Sequence, residues 1–313
     1  MKTCYLHLGM PKTGSSSIQT AFAGFETTDL AYAKLQGSNH GPAICFAFSR
    51  RPNQLPEVEW RGRNFLRGKW PFANFKQQFE RSLETRKSII FSGEIIVDRL
   101  DAEEFGELVS KLRTHFQRVV AIAYIRPLAS LASSQFQQRL KTGQRRFVIP
   151  APDYRKRFEK VLAELASGDI IWRRFDRADL YNGDIVADFA HVLGTEAPPR
   201  AEISKNESMS AEALGALYAF NRFTAPALPA AMRNRIRNQM QESLRNVGQT
   251  KFGLDAKLIE QHIERHRDDI MWMENVCGFD VRGKVSTVPN PIANQRQLLE
   301  LAASLDDNVN NRI

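Results

Sequence analysis

Along the first two thirds of the chain, short apolar runs alternate with stretches of helical period. Compact apolar runs occur at Thr3–Leu8 (TCYLHL), Lys87–Gly93 (KSIIFSG) and Arg118–Ile125 (RVVAIAYI), and Asp169–Phe175 (DIIWRRF) is a further strand candidate. Each has the length of a strand, and a run without polar alternation predicts a strand buried on both faces. DLAYAKL, residues 29–35, is a shorter second-strand candidate. Between these runs the period lengthens. SSSIQTAFAGF starts a helix at Ser15. Asp101–Phe116 places Phe105, Leu108 and Leu112 on one helical face, with Asp101 as N-cap and acidic residues in the first turn. Leu128–Gly143 predicts a helix closed by glycine. NGDIVADFAHVLG predicts a turn and a helix. Strand–helix alternation of this kind implies right-handed crossovers, a mostly parallel sheet flanked by helices, and ligands at the carboxyl ends of the strands.

Past residue 208 the strand pattern stops. SAEALGALYAFNRF, AAMRNRIRNQMQESLRNV and DAKLIEQHIERHRDDIMWMENVCG all have helical spacing. The expected organisation is therefore an α/β core over 1–208, a helical part of the same domain over 209–284, and a loosely ordered tail over 285–313, where prolines, Asn and Gln accumulate. The C-terminal helices are candidates for a cap or a homodimer contact.

Composition narrows the class. Hydrophobic residues make up 42% and charged residues 25% of 313, as in a soluble globular protein. No run approaches the ~18 apolar residues of a membrane span, and no signal peptide is expected. Cys4, Cys45 and Cys277 are scattered, which argues against a disulfide framework or a metal-ligand spacing and for a reducing, cytoplasmic setting. The net charge of +9 comes from dispersed arginines and lysines without a nucleic-acid motif. A basic cleft for an anionic small molecule or polysaccharide explains it equally well.

The chemistry starts at GMPKTGSSSIQ, residues 9–19. Strand, glycine turn and helix make a phosphate loop: backbone N–H groups of residues 12–17 face the helix N-terminus. Lys12 adds a charge, and Ser15, Ser16 and Ser17 add hydroxyls. The ATP-type order G-x-x-x-x-G-K-[ST] is absent, because the lysine precedes the second glycine. No metal site is therefore expected. The stretch closely resembles the 5′-phosphosulfate-binding loop of sulfotransferases, which use 3′-phosphoadenosine 5′-phosphosulfate (PAPS) and fold like P-loop kinases. In that family an arginine at the end of a later strand, with a serine eight residues on, holds the 3′-phosphate. YIRPLASLASSQF supplies Arg126 and Ser134 at that spacing. SKNESMS (Ser204–Ser210) is similar to a segment common in bacterial members, where Lys205 and Ser208 would reach the cofactor. The resemblance covers roughly residues 1 to 210. It implies a P-loop-type three-layer fold and cofactor contacts from Pro11, Lys12, Thr13, Gly14, Ser15, Ser16, Ser17, Arg126, Ser134 and Lys205.

Sulfuryl transfer requires attack by an acceptor hydroxyl or amine on sulfur, with the 5′-phosphate of 3′-phosphoadenosine 5′-phosphate (PAP) leaving. Lys12 and the loop amides are placed to stabilise the leaving oxygen. A base must take the acceptor's proton. Glu94, just past the KSIIFSG strand, and His40, in QGSNHGPA, are the two candidates. Each also has a plain structural role open to it, Glu94 as a cap and His40 as a turn residue. His7 reads as a packed core residue, and His115, His191, His262 and His266 as surface residues of helices. Trp60, Phe65, Trp70, Phe72, Phe75 and Phe79 suit either packing or an acceptor site. The acceptor class implied is a carbohydrate or small metabolite. A P-loop small-molecule kinase and an inactive nucleotide-binding relative remain open alternatives.

Overall fold

A computed structural model of the protein describes residues 2–55, 72–199 and 209–310. In chain order the elements are β1 (Thr3–His7), α1 (Ser15–Phe22), β2 (Leu30–Tyr32), α2 (Gly41–Phe48), α3 (Phe72–Leu83), β3 (Ser88–Ser92), α4 (Ile96–Arg99), α5 (Ala102–Arg113), β4 (Arg118–Ile125), α6 (Leu128–Lys141), α7 (Tyr154–Glu164), β5 (Ile170–Arg174), α8 (Ile185–Leu193), α9 (Ala211–Ala219), α10 (Ala230–Ser243), α11 (Ala256–Arg265), α12 (Arg267–Cys277) and α13 (Gln295–Asn310). They fall into two compact units. The first takes residues 1–126, 153–203 and 272–281, the second 127–152, 204–271 and 282–313.

The first unit is an α/β fold around a five-stranded sheet in the order β2-β3-β1-β4-β5, with every pairing parallel. β4 shows why. Seven of its eight residues are buried, which only a strand covered on both faces allows. Val120, Ile122 and Tyr124 point to one face, where Ile18 and Phe22 of α1 and Val186, Phe189 and Leu193 of α8 cover them. α2, α3, α5 and α7 form the layer against the other face. α5 begins with the expected N-cap: Asp101 accepts from Glu104 N–H, and the Glu104 carboxylate answers to Asp101 N–H in a capping box. Phe75 and Phe79 of α3 are core residues, stacking on Phe46 and packing against Phe91. Trp60, Phe65 and Trp70 lie outside the described residues.

The second unit is helical among its described residues. Phe136 and Leu140 of α6, Leu214, Leu217 and Tyr218 of α9, Ile259 of α11 and Leu298 of α13 share one core. Three expectations change here. The division at residue 208 gives way, because α6 belongs with the C-terminal helices. The stretch taken as a loosely ordered tail contains α13, whose Leu298 is fully buried. Its polar surface conceals a narrow contact: a Cβ on Gly215 of α9 would sit 2.5 Å from Leu298 O and 3.1 Å from Ala302 N. Only glycine permits so close a helix crossing. Finally, His262 is no surface residue. It is 4% exposed, and its Nε2–H donates to Pro150 O at 3.1 Å.

Candidate active site

The site is built where β1 and β3 end side by side, next to β4, which runs on to Ile125. His7, the last residue of β1, pairs with Ser92 of β3 and Ile122 of β4. The chain then runs through Gly9 into the turn that starts α1. A Cβ on Gly9 would collide with Ser15 Oγ, so the turn folds directly onto the strand end. Lys12 takes a left-handed φ of 68° and Gly14 a φ of 75°. For lysine that conformation costs about 1–2 kcal/mol. One compensating contact is the Arg126 guanidinium, whose Nη1 donates to Lys12 O at 2.6 Å.

The turn leaves its amides available. Among the described residues none of the N–H groups of Lys12, Thr13, Gly14, Ser15 and Ser16 has an acceptor, while Ser17 and Ile18 already donate to Gly14 O. Five unpaired donors at the start of a helix form a nest for an anion. Thr13 is fully buried, and its hydroxyl donates to Met10 O at 2.7 Å, so it braces the loop from inside. Ser15 is 2% exposed, Ser16 is exposed, and Pro11 and Ser17 are half-buried.

Three charged groups gather at this edge. Burial, reinforced by Arg126, lowers the Lys12 pKa, and Glu94 raises it again. Burial, then Asp98, lifts the Glu94 carboxyl above the usual carboxylate range; the Ser15 hydroxyl and Lys12 pull it down. Arg126 follows β4 directly. Its guanidinium lies 5.6 Å over the Phe175 ring, and its carbonyl accepts the Tyr154 hydroxyl at 2.7 Å. Burial lowers its pKa as well.

His40 is placed differently from Glu94. A Cβ on Gly93 would lie 2.6 Å from Gly41 Cα, so the end of β3 and the start of α2 cross without side chains between them. This crossing puts His40 against Ser92. His40 N–H donates to Ser92 O at 2.8 Å, and Ser92 N–H donates to His40 Nδ1 at 3.1 Å. The ring is 0% exposed, and burial lowers its pKa to about 4. Ser134 falls in α6, in the second unit, and is half-buried. Lys205 and Ser208 lie outside the described residues. His7, which ends β1, is the packed core residue that the sequence suggests: it is 0% exposed and lies against the rings of Tyr124 and Phe189.

Among the described residues no helix is long and apolar enough to cross a membrane. No family model matches the chain, and no curated protein matches it. Several solved structures are similar to the chain, among them three sulfotransferases. The sulfotransferase domain from the curacin biosynthetic pathway is 12% identical, with a TM-score of 0.38, over 85% of this chain and 98% of that one. The sulfotransferase domain from the Synechococcus PCC 7002 olefin synthase is 14% identical, with a TM-score of 0.38, over 79% and 89%. A sulfotransferase from Alicyclobacillus acidocaldarius is 11% identical, with a TM-score of 0.35, over 71% of this chain and 93% of its own.

Proposed function

We propose that the chain is a sulfotransferase that moves the sulfuryl group of PAPS to a hydroxyl or amine of a carbohydrate or small metabolite. The observation that carries this reading is the row of five amides from Lys12 to Ser16 that have no acceptor among the described residues, flanked by the Lys12 and Arg126 side chains. Together with the GMPKTGSSSIQ stretch, it suits the 5′-phosphosulfate end of the donor. The amides hold the bridging phosphate, and Lys12 meets the charge that grows on the leaving oxygen. Arg126 takes the 3′-phosphate by a charge-assisted contact. Glu94 is the better of the two candidate bases. It is half-buried at the loop's edge with a raised pKa, whereas His40 has no exposed surface and uses Nδ1 to accept from the backbone.

A thermal-shift comparison tests the reading. PAP should stabilise the protein without added metal, by about 2.7 kcal/mol at a hundredfold excess over Kd. AMP, which lacks the 3′-phosphate, should give a smaller shift. A larger shift with ATP-Mg²⁺ than with PAP would transfer the chain to the kinases.

A further inference from the structure

Two stretches of the second unit concentrate the chain's positive charge. Residues 139–148 hold four cations and residues 221–238 four more, with no Asp or Glu in either, against a net charge of +9 for all 313 residues. Hydrogen bonds knit the two stretches together. The fully buried Asn221 donates from Nδ2 to Leu140 O at 2.7 Å and accepts from Arg237 Nε at 2.9 Å. Gln241 Nε2 donates to Lys141 O at 3.2 Å, and Arg222 Nη1 to Arg145 O at 3.4 Å. A Cβ on Gly143, whose φ is 107°, would stand 2.7 Å from Arg237 Nη2, so the loop after α6 lies directly on the α10 guanidinium. The end of α6, the π-helical turn Phe220–Thr224 and α10 thus build one continuous basic surface.

These cations lack the company that arginines keep elsewhere. Arg50, Arg118, Arg157, Arg173 and Arg174 each hold a carboxylate. Among the described residues Arg145, Arg146, Arg222, Arg233, Arg235 and Arg237 hold none. Arg237 is the extreme case. It is 9% exposed, and its guanidinium meets only the amide oxygens of Asn221 and Asn234. A desolvated cation without a counter-charge is costly to hold. An anion that approaches this face relieves that cost and the repulsion among the neighbouring arginines.

Apolar side chains project from the same surface. Val148, Phe223 and Met232 are three of the five large hydrophobic side chains that stand exposed among the described residues. Val148 N–H donates to Arg146 O, the Arg222 guanidinium lies 5.6 Å from the centre of the Phe223 ring, and Met232 precedes Arg233. A polysaccharide or a nucleic acid supplies anions but no apolar layer for valine and methionine. An acidic protein would have to bring a matching pocket for each projecting side chain. A bilayer with anionic headgroups supplies charge and apolar depth together, without directional fit.

We propose that this basic face of the second unit docks on an anionic lipid bilayer, with the arginines on lipid phosphates and Val148, Phe223 and Met232 entering the headgroup layer. Such docking does not depend on sulfuryl transfer.

Flotation of the full chain with vesicles tests it. Vesicles of phosphatidylglycerol and phosphatidylcholine in equal parts should carry the protein at about 0.1 M salt, and pure phosphatidylcholine vesicles should not. Binding should fall at least about tenfold at about 1 M salt, where charges are screened within about 3 Å. Arg145→Gln/Arg146→Gln, at two exposed positions, should weaken partition about tenfold. Arg267→Gln/Arg296→Gln removes the same charge from arginines already paired with Glu264 and Glu300, and should change partition by no more than about twofold. Val148→Ser/Phe223→Ser, which leaves the charge alone, should also weaken it about tenfold. Salt and lipid dependence are read on the wild-type chain, so they decide even where a variant is unstable. Equal flotation with both vesicle types, or with neither, overturns the proposal. So does wild-type flotation of Val148→Ser/Phe223→Ser. Release from the vesicles by an equal charge of duplex DNA or of polyglutamate overturns it as well, and assigns the face to a nucleic acid or to an acidic protein.

Discussion

Lys12 and Glu94 stand at opposite ends of the proposed reaction, and their variants should fail differently. Lys12 lies inside the anion nest, with its carbonyl held by Arg126. Lys12→Ala should lower kcat by about 10²- to 10³-fold, the scale of one lost donor to a developing charge, and should weaken PAP as well. Glu94→Gln should lower kcat with PAP affinity nearly intact, because the role proposed for the carboxylate is at the acceptor end. Steady-state rates paired with PAP titrations check both. Full activity in Glu94→Gln would send the search for a base elsewhere. His40→Asn should chiefly cost stability, since its ring is a buried strut between Ser92 and the start of α2. Gly9 and Gly14 of the loop were legible in the sequence because a close approach at the first and a positive φ at the second leave few alternatives to glycine. The burial of His40 was not, because it follows from the Gly41–Gly93 crossing, a contact between residues far apart in the chain.

Among the elements, strands and their caps were the easiest to foresee. β3 and β4 are apolar runs, and α5 opens with a capping box written within four residues. α13 escaped because its packing depends on one glycine in another helix. Gly215 is therefore the position to test. Alanine is the better helix former by up to about 1 kcal/mol, but here its methyl meets the backbone of α13. Gly215→Ala should destabilise by about 1–3 kcal/mol, as overpacking does. Gly168→Ala, whose methyl would meet nothing within 4 Å, serves as the control and should be neutral or better. Urea denaturation of the two variants decides; an equal or higher midpoint for Gly215→Ala would contradict the crossing. The division of α11 from α12 at His266 was likewise hidden, since both carry one uninterrupted helical spacing.

For the molecule as a whole, buried histidines set the response to acid. His7, His40 and His262 have pKa values lowered by burial to about 3, 4 and 4 from an ordinary 6.5. Below pH 6.5 the unfolded chain binds protons that the folded state refuses. The stability held by these neutral rings is complete above pH 6.5 and drains away as the pH falls towards 4. Each ring contributes at most about 1.4 kcal/mol per pH unit in that window. Urea midpoints at pH 7.5, 6 and 5 should therefore decline, before the carboxylates of the ion pairs begin to titrate. A midpoint that held constant down to pH 5 would mean that water reaches these rings. The strand order has a different consequence, for self-association. The longest and most apolar strand, β4, lies inside the sheet, and the edges fall to β2, three residues long, and to β5, whose Arg173 and Arg174 are tied to Asp188 and Asp179. A short edge and a charged one give a neighbouring chain little to extend, so among the described residues the sheet ends where it does by its own design against further growth.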